Sequence, residues 1–533
     1  MIDRDGLLGR LSGEVFDLVV AGGGATGCGV ALDAASRGLK VALVEKGDFG
    51  SGTSGRSSKL LHGGVRYLER AVLHLDRDDF KLVREALAER SILLRLAPHL
   101  CRRIPLVVPI YQSLQLVYVR AGLILYDTLA GAHGIGVSRT LDPDEVLRYF
   151  PLLRREGLKG GVLYYDGQFD DARMNLALAL TAIQQGAVAA NYVEAVAVLH
   201  EDGRVAGLRL RDRWSGREWD VRARCVVNAC GPGVDLLRRL DQPDAAPLLT
   251  PSAGSHLVFP GVLTPEGAGI TIPKTPDGRV LFVLPWHGGT LVGTTDHPAA
   301  AGEPPAVDRG DVRYLLEQVT RYFQLDRDSA RVLSSWAGIR PLVGDSTAVN
   351  TASLHRDHLI DRSPSGLVTI TGGKWTTYRK MAQDTVDVAV RDASLPAAGK
   401  CRTDSIQLQG GEGYRDDAWT SLMVAHGLTG ECARHFNGSY GSRAGAAAAY
   451  CQGRLAEPLV AGHPFVKGEV VYAVKEEMAL TCLDFLERRS GLLLMDVAAA
   501  REAAGTVAGL MAAELGWDES RMAEERQSVL DWK

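Results

Sequence analysis

Apolar residues follow different rhythms in different parts of this chain. Near the N-terminus, residues 17–21 (DLVVA) and 40–45 (KVALVE) are almost continuously apolar and rich in β-branched side chains, as strands buried on both faces are. Between them, ATGCGVALDAASRG places apolar residues at helical spacing and stops at Gly38. The order strand, glycine turn, helix, strand predicts a βαβ unit within a doubly wound parallel sheet.

The rhythm then changes twice. Over residues 76–100, charges alternate with Leu, Val and Ile at spacings of three to four, which predicts an exposed amphipathic helix. Strand-like runs return at VLYYDG, at the pair GRVAGLRLRDR and REWDVRARCVVNA, and at RVLFVLPWHGGTLVGTTD. Strands set between pieces of a doubly wound sheet imply a second, α+β domain that interrupts the first. Beyond Cys401 the pattern is helical, with helices expected at 470–486, 497–515 and 519–530. In the second of these, Val497, Ala500, Ala504, Val507 and Met511 share one face. The expected division is 1–75, 155–235 and 335–398 for a discontinuous nucleotide-binding domain, 76–154 and 236–334 for a substrate or cap domain, and 399–533 for a helical C-terminal domain.

Composition narrows the classes. A chain of 533 residues is too long for one core, and 46% hydrophobic with 23% charged residues is ordinary for a globular protein. A net charge of -4 with interspersed signs argues against nucleic acid. The eight cysteines form no CxxC pair or metal-ligand spacing, which fits reduced thiols and no metal. The opening MIDRDGLLGRLSG lacks the apolar run of a secretory signal, so a cytoplasmic setting is expected. The most apolar stretch, 104–130, is interrupted by Pro105, Pro109, Arg120 and Asp127, short of the ~20 apolar residues that a spanning helix needs.

The chemistry begins at Gly22, Gly24 and Gly27, a GxGxxG between strand and helix. Glycines there let the backbone approach a pyrophosphate, and the helix N-terminus stabilises its charge. Glu45 ends the next strand, where a carboxylate can accept ribose hydroxyls. These features predict a dinucleotide without deciding which. The loop that follows, KGDFGSGTSGRSSKLLHGG, is rich in Gly, Ser and Thr and offers many donors to an extended ligand.

The run GGGATGCGVALDAASRGLKVALVEKGDFGSGTSGRSSKLLHGGVRYLE resembles the opening of the FAD-dependent glycerol-3-phosphate dehydrogenase family, the aerobic, quinone-linked type. CVVNACGP, GSHLVFP, GRVLFVLPW, LVGTTD, WAGIRPLVGD and LVTITGGKWTTYRKMAQ follow in the family's order, and EVVYAVKEEMALTCLDFLERRSGLLL is similar to its C-terminal domain. The resemblance implies an FAD-binding Rossmann-like domain, an interrupting α+β substrate domain and a helical tail. It implies FAD contact at Gly22, Gly24, Ala25, Thr26, Gly27, Glu45 and Lys46, and along the loop at Thr53, Ser54, Ser57, Ser58, Leu61, His62, Gly63 and Gly64. Gly231, Gly373, Lys374, Trp375 and Thr376 complete the expected cofactor set.

The implied substrate, sn-glycerol 3-phosphate, is a small dianion that needs fixed cations, and the planar fork of arginine suits its phosphate. Arg66, Arg340 and Lys374 stand in glycine-flanked motifs, and the resemblance assigns them, with Tyr67, to the substrate. Lys374 could serve the flavin, the phosphate or both. Oxidation of the alcohol requires a proton acceptor; His62 in the HGG loop is favoured and His256 in GSH is the alternative. Ala253 stands where the family pattern has a lysine, and Gly233 where an aromatic residue is common.

Competing readings are an amino-acid or amine oxidase of the same superfamily and a silent flavoprotein scaffold; three clustered cations favour the phosphate substrate. With one dinucleotide motif and no redox-active cysteine pair, the electron acceptor is quinone or oxygen; the family holds both quinone-linked dehydrogenases and oxidases, and the absence of a large insertion of the oxidase kind favours quinone. A quinone acceptor implies peripheral contact with the inner face of the cytoplasmic membrane. The expected contact is residues 95–126, where Arg102, Arg103 and Arg120 flank IPLVVPIYQSLQLVYV; a buried strand and helix is the other reading of this segment. A homodimer is a further expectation.

Overall fold

The computed structural model describes residues 3–532 except 66–67, 69–75, 262, 265–266, 276–277, 303–305, 326–330, 345–357 and 396–397. Its first sheet carries parallel strands in the order Val368–Gly372, Glu218–Asn228, Val15–Ala21, Val41–Glu45 and Val188–Asn191. Leu18 to Ala21 are matched by Cys225 to Asn228 on one side and by Val41 to Val44 on the other, so both neighbours bury apolar side chains. Antiparallel His358–Arg362 closes one edge, and the Val193–Glu201 and Arg204–Asp212 hairpin extends from Glu218–Asn228. The Ala25–Ser36 helix packs between the Asp171–Gln184 and Tyr378–Asp392 helices, and its burial on all sides explains why its pattern lacks a polar face.

Among the described residues, the second sheet has ten strands, mostly antiparallel. Cys101–Ile110 pairs along its whole length with Gly160–Phe169, and Ser252–Phe259 lies between Gly289–Gly293 and Ser334–Arg340. Gly160–Phe169 and Ser334–Arg340 therefore join the second sheet, although the expected division grouped them with the first.

In the tail, the helices Val497–Leu515 and Glu519–Leu530 form as the periodicity predicts, each opened by an aspartate that caps it, Asp496 and Asp518. The single helix expected at 470–486 does not form. The Lys467–Glu477 helix stops at Met478, in the left-handed region at φ +56°, and the chain resumes as a π-helical turn, Asp484–Arg489. The break turns Asp484, Glu487, Arg488 and Arg489 inward, toward Asp48 of the first domain and toward one another.

The apolar segment 104–130 forms the end of the Cys101–Ile110 strand and the Ser113–Ala130 helix. Its strand half is core: Ile104, Leu106, Val107, Val108 and Ile110 are buried. Its helix, Ser113–Ala130, buries Leu123, Tyr126 and Ala130 but leaves Leu114, Val117, Tyr118 and Ile124 exposed along the opposite face. Among the described residues, no helix is long and apolar enough to cross a membrane.

Candidate functional site

The glycine turn leaves the first strand at Gly22, where φ is +110° and an added Cβ would lie 2.4 Å from the Ala229 carbonyl oxygen. Gly27, on the first turn of the helix, would set a Cβ 1.8 Å from the Gly22 oxygen. Only glycine permits this approach of helix, turn and strand. Glu45 Oε2 accepts from the Gly23 N–H at 2.6 Å and Oε1 from the Gly47 N–H at 2.8 Å. Burial pushes its carboxyl up, against those two backbone donors. The Ser54 hydroxyl accepts from the Ala25 N–H at 2.9 Å, which brings the long loop over the helix N-terminus.

The second sheet, the turn at Trp375–Thr377 and the Asp171–Gln184 helix all hold that loop. Thr53 donates to the Ile339 carbonyl at 2.5 Å, Trp375 Nε1 donates to the Ser54 carbonyl at 2.8 Å, and the Ser57 N–H donates to Asp171 at 2.8 Å. Ser58 meets His256 Nε2 at 2.8 Å, and the Thr376 hydroxyl donates to the His62 carbonyl at 3.3 Å. Loop, strand end 338–340 and turn 373–377 thus converge, and with them Thr53, Ser54, Ser57, Ser58, His62, His256, Arg340, Trp375 and Thr376. Gly372 and Gly373 take φ of +78° and +66° before the Trp375–Thr377 turn, which leads into the Tyr378–Asp392 helix. Lys374 is the residue that opens this turn. Gly231 begins a turn after the Glu218–Asn228 strand, beside the cradle. Arg66 and Tyr67 lie outside the described residues.

Arg340 ends its strand opposite Ser252. Its guanidinium donates to Thr294 Oγ1 at 3.0 Å, the Thr295 carbonyl at 3.2 Å and Asp296 at 3.3 Å. Asp296 offsets part of its charge, and Arg340 remains partly exposed, as a group that meets a soluble anion must. His256 is unlike it: 3% exposed, stacked on Trp336 at 4.1 Å, with Nδ1 finding no partner among the described residues. Burial first, then the charges of Arg340 and Lys59, hold its pKa well below the usual value, so the ring is neutral and poorly placed to gain a proton. His62 is partly exposed.

Three groups escaped the sequence reading. Lys59 is 2% exposed and paired with Asp171 at 2.5 Å, its ammonium 4.9 Å from the centre of the Trp336 ring. Its φ of +61° carries no sequence signal. Arg90, Tyr126 and Asp166 meet beneath Gly63 from three separate elements. Asp48, three residues past the expected ribose contact Glu45, is gripped by Arg488 and Arg489 from the tail. Each joins residues too distant in sequence for spacing to reveal.

Residues 17–379 match the family model described as FAD dependent oxidoreductase, and residues 401–522 that described as C-terminal domain of alpha-glycerophosphate oxidase. The chain is 46% identical over 528 residues to the mitochondrial glycerol-3-phosphate dehydrogenase of Mus musculus, a match spanning 96% of this chain and 72% of that protein. Against the mitochondrial glycerol-3-phosphate dehydrogenase of Arabidopsis thaliana it is 41% identical, over 99% and 87%. Among solved structures, the glycerol-3-phosphate dehydrogenase from Bacillus halodurans, complexed with FAD, superposes with a TM-score of 0.80 at 31% identity, covering 99% of this chain and 96% of that one. The L-alpha-glycerophosphate oxidase from Mycoplasma pneumoniae, at 18% identity and a TM-score of 0.54, shares the fold.

Proposed function

The chain belongs to the glycerol-3-phosphate dehydrogenases of the FAD-dependent oxidoreductase family, and on that premise we propose how it acts. It is an FAD enzyme that oxidises sn-glycerol 3-phosphate to dihydroxyacetone phosphate and passes the electrons to a quinone. The observation that carries this reading is a 46% identity running through both sheets and the tail. The cofactor fits the residues present: the turn at Gly22 and Gly27 leaves no room for side chains where a pyrophosphate must approach, a helix N-terminus follows, and Glu45 closes the next strand. Glu45, Thr53, Ser54, Ser57 and Ser58 would hold the cofactor along the loop. When bound, FAD supplies the acceptor for the hydride from C2 of the substrate.

The chain's own residues do the rest. Arg340, with Arg66, holds the phosphate; Lys374, at the start of its turn, adds positive charge near the reacting end. His62 takes the hydroxyl proton as the hydride leaves. His256 is a packing and orienting group, in keeping with its buried, neutral ring.

A quinone is lipid-soluble, so the enzyme must rest on a bilayer. The exposed apolar face of the Ser113–Ala130 helix supports that peripheral contact. The test is anaerobic mixing with sn-glycerol 3-phosphate, followed by a quinone analogue or oxygen. Flavin should bleach and recolour faster with the quinone. Absence of bleaching would overturn the substrate, and recolouring as fast with oxygen would overturn the acceptor.

A further inference from the structure

The peptide unit between His62 and Gly63 is held at both ends. Its carbonyl accepts from the Thr376 hydroxyl at 3.3 Å, and its N–H donates to the Tyr126 phenol oxygen at 2.9 Å and to Asp166 Oδ1 at 3.3 Å. The Tyr126 hydroxyl donates to the same carboxylate oxygen at 2.9 Å, and Arg90 donates to it at 2.5 Å. Tyr126, Asp166 and Arg90 are 1%, 1% and 2% exposed, so water does not compete for these bonds. Burial and the neighbouring Asp166 raise the phenol far above its usual pKa, which keeps its proton in place. The phenol therefore gives its hydrogen to Asp166 and has a lone pair for Gly63.

The geometry tolerates no side chain at position 63. A Cβ there would lie 2.4 Å from the Tyr126 oxygen and 2.4 Å from Leu87 Cδ2. Arg90 comes from the Arg77–Leu96 helix, Tyr126 from Ser113–Ala130 and Asp166 from the Gly160–Phe169 strand. Three elements spend buried polar groups on one backbone N–H, although buried charge is costly unless its partners are well placed. With Leu60 and Leu61 already paired to the second sheet, a peptide plane held at both ends leaves ψ of His62 little freedom, and so sets the direction in which its Cα–Cβ bond leaves the backbone.

We propose that Tyr126, Asp166 and Arg90 are positioning residues for the oxidation: with Thr376 they lock the His62–Gly63 peptide plane and so aim the His62 imidazole. The inference rests on His62 being the base. The decisive variant is Tyr126→Phe, which keeps the ring and leaves the Arg90–Asp166 pair intact. Holoenzyme would be compared with wild type for FAD content, thermal unfolding and anaerobic flavin reduction across substrate concentrations. FAD content and unfolding temperature should hold while the limiting reduction rate falls about tenfold or more, with KM little changed, because small misplacements of a reacting group carry penalties of this size. Thr376→Val, which loosens the other end, should slow reduction too, and the double variant should be slower by less than the product of the two effects. A wild-type rate in Tyr126→Phe overturns the proposal, as does a slow rate that merely tracks lost FAD or early unfolding. His62→Ala, measured alongside, separates the two readings. If it is fast while Tyr126→Phe is slow, the base is elsewhere and the aim at His62 falls with it. If it is slow while Tyr126→Phe is fast, the base stands and only the positioning role fails.

Discussion

At position 340 an arginine meets two threonines and an aspartate at the end of a strand. Replacing it with alanine removes charge-assisted hydrogen bonds of ~1.5 to 3 kcal/mol each from a bound phosphate. Arg340→Ala should raise KM for glycerol 3-phosphate at least about tenfold with FAD retained, and wild-type kinetics would show that the phosphate is held elsewhere. His62→Ala should slow flavin reduction ~100-fold to 10,000-fold in stopped flow, without loss of substrate binding. His256 makes a contrasting prediction through stability. Its folded pKa is depressed by burial and nearby cations, so its contribution is present above the unfolded value of about 6.5 and is lost as pH falls below that. His256→Gln should flatten the fall in unfolding temperature on the acid side of pH 6.5; an unchanged slope would mean the buried ring is not the titrating group. At this scale the sequence was legible where a motif carried the residue. GxGxxG, HGG and IRPL bring Gly22, His62 and Arg340 to notice, whereas Lys59, Asp166 and Tyr126 lie in ordinary strand, helix and loop text. Nor could the motif GSH distinguish a base from a buried ring, because the burial of His256 comes from Trp336, eighty positions away in the chain.

The Ser113–Ala130 helix illustrates what periodicity can and cannot give. Its text is apolar nearly all round, which suits a buried element as well as a surface one; packing against the second sheet decides the matter by covering only the side of Leu123 and Tyr126. Leu116, in the middle of the expected contact, packs inward. Leu114, Val117, Tyr118 and Ile124 instead form the outward stripe, 88%, 70%, 52% and 48% exposed. Substituting these four with serine should abolish flotation with anionic liposomes while leaving flavin reduction by glycerol 3-phosphate unchanged. Retained flotation would place the lipid contact on another surface. Of the cations expected to meet headgroups, Arg120 turns back to Ser138 and Arg103 lies over Tyr165, so any lipid contact would have to rest on the apolar stripe. The broken helix at 477–484 is the complementary case. Its apolar spacing reads straight through, and the local mark of the break is easily passed over: Thr481 and Asp484 cap each other's backbone N–H and restart the chain, while the charged residues beyond find partners in another domain.

Those partners join the two ends of the molecule. Arg488 and Arg489, from the tail, both donate to Asp48, Glu487 pairs with Arg56, and Glu477 takes a bidentate contact from Arg173. Asp48 and Arg56 lie on the loop that passes over the nucleotide cradle, so the tail grips the same segment that would hold FAD. Burial pushes Asp48 and Glu487 up, but the facing guanidinium groups outweigh it and hold both below the usual carboxylate range. A group with a depressed folded pKa contributes stability above its unfolded value of about 4 and loses it as pH falls through the folded one. Asp484 runs the other way, raised by burial and by Asp48, and weakens part of that effect. The net expectation is a latch that is secure at neutral pH and fails in acid. Asp48→Asn leaves the buried Arg489 without its carboxylate and Arg488 with Asp484 and Glu487 alone, a loss of ~3 to 5 kcal/mol by the usual cost of breaking a buried pair. Its consequence should appear as cofactor release, because the freed segment is the loop itself. On heating, flavin fluorescence of Asp48→Asn should rise several degrees earlier than in wild type, and the shift should shrink only as the pH falls below about 4, where the wild-type carboxylates begin to take up protons. If flavin release in the variant coincides with wild type at neutral pH, the tail is a passive neighbour of the cofactor loop and the latch does not hold it.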